Sequence, residues 1–300
     1  MLLGIWEVNM YFIENDYMKA EINAKGAELA SLVHDDKEYL WNADARYWAR
    51  TAPVLFPFVG SVSGGAYRYE GDEYKMGQQG FARDMEFELC EKTEDSICFV
   101  LRDSGETFAK YPFHFSLYVG YALDGNTLRV NWKVENTDTK ELLFSIGGHP
   151  AFLCPINNKG RQTDYSLLLK KNGQPVDSVL IGVLADGLLS DESFALKTNN
   201  GMYKITETMF DRDALIIENQ QLDEVSLVAP DGETYVTVQF DTPLMGIWSP
   251  TKKQAPFVCI EPWYGRCDRV GFDGDLKKRE YGNRLAPGET FEGGFEVKIY

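Results

Sequence analysis

Apolar and polar residues alternate along most of this chain, and that period of two restricts the fold to one built from strands. In Thr127-Leu128-Arg129-Val130-Asn131-Trp132-Lys133-Val134-Glu135, the apolar Leu128, Val130, Trp132 and Val134 fall on one face of an extended segment. Arg129, Asn131, Lys133 and Glu135 fall on the other. This is the pattern of a half-buried antiparallel strand. Phe113, Phe115, Leu117, Val119 and Tyr121 repeat it, and Asp124-Gly125 is a turn dipeptide that joins the two runs as a hairpin. Further strands are expected at 97–101, at 234–240 after the Asp231-Gly232 turn, and at 291–299.

Helical spacing is scarce. Its best instance is Asp44-Ala45-Arg46-Tyr47-Trp48, where Asp44 could cap a turn or two. Strands at close intervals, Gly/Asn/Asp turns and 13% aromatic residues indicate an all-β architecture, a large antiparallel β-sandwich or barrel. With 300 residues, 44% of them hydrophobic, the chain can bury a large core, and no linker divides it. Asn157-Asn158-Lys159-Gly160 and Lys197-Thr198-Asn199-Asn200-Gly201 read as loops that bound an irregular excursion.

A formal charge of −16 argues against a general partner for nucleic acid or anionic membranes, because phosphate binding draws on clustered Lys and Arg. A neutral or weakly charged ligand fits better. The opening Met1-Leu2-Leu3-Gly4-Ile5-Trp6-Glu7 is apolar, but it is too short for a signal core and lacks a basic start. No run approaches the roughly 20 apolar residues of a membrane span. The expected location is the cytoplasm, where the five widely spaced cysteines would be reduced thiols.

Three histidines can be weighed singly. His34 and His114 sit in settings where an imidazole satisfies local hydrogen bonds. His149 differs: it follows the apolar Leu142-Leu143-Phe144-Ser145-Ile146 and two glycines, and Pro150 ends the ladder behind it. Gly147 and Gly148 would let a backbone or ligand come close. A satisfied core histidine remains the alternative. Glu261 follows Phe257-Val258-Cys259-Ile260, a strand that reads as buried on both faces, and precedes Pro262, Trp263 and Tyr264. A carboxylate there is either half of a buried ion pair, with Arg266 or Arg269, or a general base of adjusted pKa beside an aromatic platform.

Six segments in order carry a family resemblance: Tyr39-Leu40-Trp41, Val54-Leu55-Phe56-Pro57, Gly80-Phe81-Ala82-Arg83, Gly147-Gly148-His149-Pro150-Ala151-Phe152, Asp213-Ala214-Leu215-Ile216 and Glu261-Pro262-Trp263-Tyr264-Gly265. Together they resemble the aldose 1-epimerase (galactose mutarotase) family, nearest its bacterial LacX-like branch, from about Tyr17 onward. The resemblance implies one galactose mutarotase-like β-sandwich domain over residues 1–300, with 1–16 at its periphery. It also implies that His149 is the general acid for the ring oxygen of an aldose and Glu261 the general base for its anomeric hydroxyl. Asp213 matches a family position near the sugar hydroxyls; Gln79 and Arg83 are candidate hydroxyl contacts, and Trp263, as neighbour of Glu261, is the favoured platform. No metal, nucleotide or other cofactor is implied; the partner is a small sugar.

Departures accompany the matches. Ser61 stands where well-studied relatives have an arginine, and Gln79 where many have a histidine; Gln can exchange hydrogen bonds but cannot carry a proton. Arg83 could instead pair with Asp84 or Glu86, Asp211 could take the place of Asp213, and Trp41 and Trp248 compete with Trp263 as platforms. The departures keep two other functions open, a non-catalytic sugar-binding or sensing protein and an epimerase of a phosphorylated hexose. A glycosidase would need a second carboxylate such as Asp213. Strand edges could pair two copies as a homodimer, although no interface is marked in the sequence.

Overall fold

The computed structural model describes residues 10–300, and two large antiparallel sheets dominate it. The alternating run forms strand Thr127–Asn136, with Leu128, Val130, Trp132 and Val134 buried and Arg129 and Asn131 exposed. It pairs with Phe115–Asp124 in a hairpin that closes at Asp124 opposite Thr127. Around this hairpin a ten-stranded sheet assembles, flanked by Ser96–Arg102 on one side and Thr290–Ile299 and Thr234–Phe240 on the other.

The second sheet has eight strands, and Phe257–Tyr264 lies inside it between Leu244–Trp248 and the broken strand Ile146–Gly148 and Ala151–Leu153. The two sheets face each other. Trp132 and Phe295 of the first pack against Gly148 of the second, where a Cβ would come within 2.7 Å of the Phe295 ring. Val258 and Ile260 point into this shared core. The intervening Cys259 and Trp263 belong to smaller clusters on the opposite face, so the strand is buried on both sides as its composition predicts.

One expectation needs correction. Residues 157–201 are not an irregular excursion. Ser166–Lys171 joins the ten-stranded sheet, and Ser178–Ala185 with Leu188–Lys197 forms a hairpin at the edge of the eight-stranded one. Buried Leu167 and Leu169, then Val179, Ile181 and Val183, do alternate, but exposed neighbours and short turns obscure the pattern. The Asp44 segment is a capped turn as expected, the Arg46 N–H donating to Asp44 Oδ1 at 3.0 Å and the Tyr47 N–H to the Asp44 carbonyl. An α-helix lies at Gly105–Lys110, where Ser104 and Thr107 form a reciprocal cap. Met10–Glu14 is a strand at the end of a four-stranded sheet, and its Ile13 is fully buried. The opening 1–9 run, read above as no signal core, lies outside the described residues. No helix among the described residues is long and apolar enough to cross a membrane.

Candidate active site

The outer face of the eight-stranded sheet forms the floor of a cavity of about 430 Å³. Strand pairing decides what lies on that floor. Gly147 is opposite Trp263 and Ala151 is opposite Cys259, so the same register sets His149 opposite Glu261. Residues two apart on a strand share a face, which puts Cys259, Glu261 and Trp263 together on the cavity side. Nε2 of His149 lies 3.2 Å from Oε2 of Glu261.

Both groups are buried, His149 at 8% exposure and Glu261 at 1%. The His149 backbone N–H donates to the Pro53 carbonyl, and the Pro150 carbonyl accepts from Ile260. These bonds hold the turn around the imidazole. Trp48 stacks on the His149 ring at 4.7 Å and 28°, and Trp248 meets it edge-on at 5.5 Å. Its Nδ1 has no hydrogen-bond partner among the described residues.

The glycines before His149 have a different use from the one expected. They admit aromatic side chains rather than a backbone or ligand: Gly148 admits Phe295 of the facing sheet, and Gly147 admits Trp263 of the adjacent strand, whose Cδ1 would lie 2.5 Å from an added Cβ. The far edge of the same indole lies on Gly246, across the next strand. Trp263 thus lies across three strands, resting on a glycine at each side. It lines the cavity, as does Trp248; Trp41 sits beneath and donates its indole N–H to the Trp48 carbonyl at 2.9 Å.

The ion-pair alternative for Glu261 does not hold. Arg266 is committed to Glu218 at 2.8 Å and to Glu280, and Arg269 to Glu280 and Asp191. No Lys or Arg pairs with Glu261 among the described residues. Burial, and then the charge of Asp213, raises the Glu261 carboxyl well above its ordinary value, with the Trp263 side chain acting in the lowering direction. Burial also drives the His149 imidazole down to about 3, and the charges of Arg83 and Arg50 add to the effect.

The remaining expected residues reach the same cavity. Gln79, with φ of 68°, lines it while its Oε1 accepts the Gly60 N–H at 2.6 Å. Arg83 donates to the Gln78 carbonyl at 2.9 Å and stands 3.9 Å from Asp84; its buried Nε lacks a hydrogen bond among the described residues. Asp213 lines the cavity, its Oδ1 accepting from the Ala214 N–H, whereas Asp211 lines a separate one. Ser61 is present too, facing Gly187 at the tip of the 178–197 hairpin. His34 and His114 lie elsewhere, bonded to the Tyr17 carbonyl and to Asp103.

Trp48, Gln78, Leu184, Gly187 and Thr251 line the cavity without having been singled out in the sequence.

A floor with a facing imidazole and carboxyl, an aromatic platform and several amide and guanidinium donors can hold a polyhydroxylated ligand and move protons on it. The chain is also similar to known proteins. The family model described as Aldose 1-epimerase matches residues 9–298. Protein LacX, plasmid, of Lactococcus lactis subsp. lactis is 30% identical over 96% of this chain and 98% of its own length. A galactose mutarotase related enzyme from Lactobacillus acidophilus superposes with TM-score 0.91 at 36% identity, covering 97% of each chain. A galactose mutarotase-like protein from Lactobacillus casei ATCC 334 gives 0.87 at 31%, covering 97% of this chain and 100% of its own.

Proposed function

We propose, for a chain that belongs to the aldose 1-epimerase family, that it interconverts the α and β anomers of a free aldose by opening and closing the sugar ring. The observation that carries this reading is the 3.2 Å approach of His149 and Glu261 on the floor of a cavity large enough for a hexose.

Between the depressed His149 value and the raised Glu261 value, the pair holds one proton. Burial favours leaving it on Glu261 beside a neutral imidazole, and its transfer along the contact produces an imidazolium facing a carboxylate. Sugar hydroxyls that enter the cavity favour the charged form by supplying the hydrogen bonds that burial removed. The Glu261 carboxylate then takes the proton of the anomeric hydroxyl while His149 gives its proton to the ring oxygen. The C1–O5 bond breaks, the aldehyde forms, and the pair again holds one proton. Rotation about C1–C2 and closure with the roles exchanged give the other anomer. In this reading Trp263 supports the apolar face of the sugar, and Gln79, Arg83 and Asp213 bond its hydroxyls.

A second reading, a sugar-binding or sensing protein without turnover, has one observation in its favour. Gln79 already accepts the Gly60 N–H with its amide oxygen, which uses part of its capacity for a sugar, and Ser61 is short. Polarimetry on freshly dissolved α-glucose and α-galactose separates the two. Acceleration that His149→Asn and Glu261→Gln abolish supports the enzyme; calorimetric binding without acceleration across a broad sugar panel supports the sensor.

A further inference from the structure

Beside the acid/base pair lies a third group that the proposed reaction does not use. Cys259 is fully buried two residues before Glu261, on the same face of the strand. One donor atom each from His149, Cys259 and Glu261 lie within 4.8 Å of one another. We propose that these three residues form a binding site for a borderline or soft divalent cation such as Zn²⁺, and that a bound ion blocks the cavity floor to sugar.

The donor chemistry fits. Imidazole, thiolate and carboxylate are the ligands zinc takes, and three of them with the fourth position open is a common arrangement. Bonds of about 2.0–2.3 Å in a tetrahedron set neighbouring donors roughly 3.3–3.6 Å apart. The His149–Glu261 contact of 3.2 Å is already near that spacing, so the thiol needs to close by at most about 1.5 Å to complete it. The fourth position would be filled by water.

Charge gives an independent reason. Glu261 is a buried carboxyl with a further acid, Asp213, acting on it, and the two nearby arginines that could have paired with it are held by other carboxylates. A divalent ion bound to one carboxylate and one thiolate is neutral overall, at the cost of two protons released from Glu261 and Cys259. Affinity therefore rises with pH. Metal-bound histidines usually donate their other ring N–H to an acceptor, which His149 Nδ1 lacks among the described residues. The ion is accordingly exchangeable and inhibitory rather than a resident part of the fold.

The test is titration of the full chain, first stripped with a chelator, with Co²⁺ as a spectroscopic substitute. The expected result is a near-ultraviolet thiolate-to-cobalt charge-transfer band that saturates at one equivalent and that Zn²⁺ displaces. Cys259→Ala should abolish the band and weaken Zn²⁺ binding at least about tenfold, the lower end of what even outer-shell losses cost. Cys90→Ser, which removes an exposed thiol elsewhere, should leave the band intact. No band in the wild type, or one that survives Cys259→Ala, overturns the proposal. Circular dichroism checks that Cys259→Ala folds; if it does not, the Zn²⁺-induced rise in Tm, expected in the wild type and lost in His149→Asn and Glu261→Gln, decides instead. The spectrum does not depend on turnover, so failure of mutarotation would leave this result standing. If the chain does turn over, Zn²⁺ should inhibit in competition with sugar.

Discussion

His149 sits in the break between two short strands that both pair with Phe257–Tyr264, and its Nε2 lies 3.2 Å from Oε2 of Glu261. Backbone register, not a flexible loop, sets that distance. A pair held in this way acts as a unit, and its two members should not contribute independently.

His149→Asn and Glu261→Gln should each lower kcat/KM for mutarotation by about 100-fold to 10,000-fold. The double variant should lose little more than the worse single one, since both substitutions disable the same proton transfer. Polarimetric initial rates check this, and a double loss equal to the product of the single losses would contradict it.

The pH profile should lack a limb at the ordinary histidine value. Burial holds His149 at about 3 and raises Glu261 well above 4.5, so the pair keeps one proton across the intervening range. Activity should not fall as pH drops through 6.5, and on the alkaline side it should decline at a value belonging to the pair. Rates in matched buffers test both limbs.

Stability should respond to the same burial. Below pH 6.5 the unfolded chain protonates His149, while the folded chain does not until about 3, so this contribution is lost as pH falls between those values. The Tm of His149→Asn should therefore decline less steeply than that of the wild type from pH 6.5 downward. Calorimetric scans of both proteins give the comparison.

Trp48 should act as a positioning residue. Its stack on the imidazole, at 4.7 Å, is worth about 0.5–1.5 kcal/mol in an aromatic pair, or roughly 2-fold to 12-fold in rate if it is realised in the transition state. Trp48→Leu should lower kcat by that factor and shift the pH profile. A change in KM alone would show that Trp48 only binds sugar.

The alternation in Thr127–Asn136 and the buried run Phe257–Tyr264 were legible because each is written in consecutive residues. The pairing of His149 with Glu261 was legible through the ordered family-like segments, and register supplies its physical reason. What stayed hidden depends on partners far away in the chain. That Arg266 would be claimed by Glu218 and Glu280, not by Glu261, follows from tertiary placement alone. The glycines beside His149 announced a close approach, but nothing local told that the visitors were Phe295 and Trp263. The hairpin at 178–197 was missed because its edge strand Leu188–Lys197 is largely exposed and shows little alternation.

Gly246→Ala should place a methyl group against the Trp263 ring and cost about 1–3 kcal/mol of stability, the usual range for overpacking. Urea unfolding measures it, and the displaced indole should also raise KM for sugar.

The seat of Trp263 has a consequence for how such a protein can change over generations. While the indole is present, neither Gly147 nor Gly246 can gain a side chain without collision; once either has gained one, the indole no longer fits. Replacing the indole first with a smaller residue leaves a void above both glycines. Every single-step route to a different platform therefore passes through a poorer intermediate, and three positions on three strands are inherited together as one character.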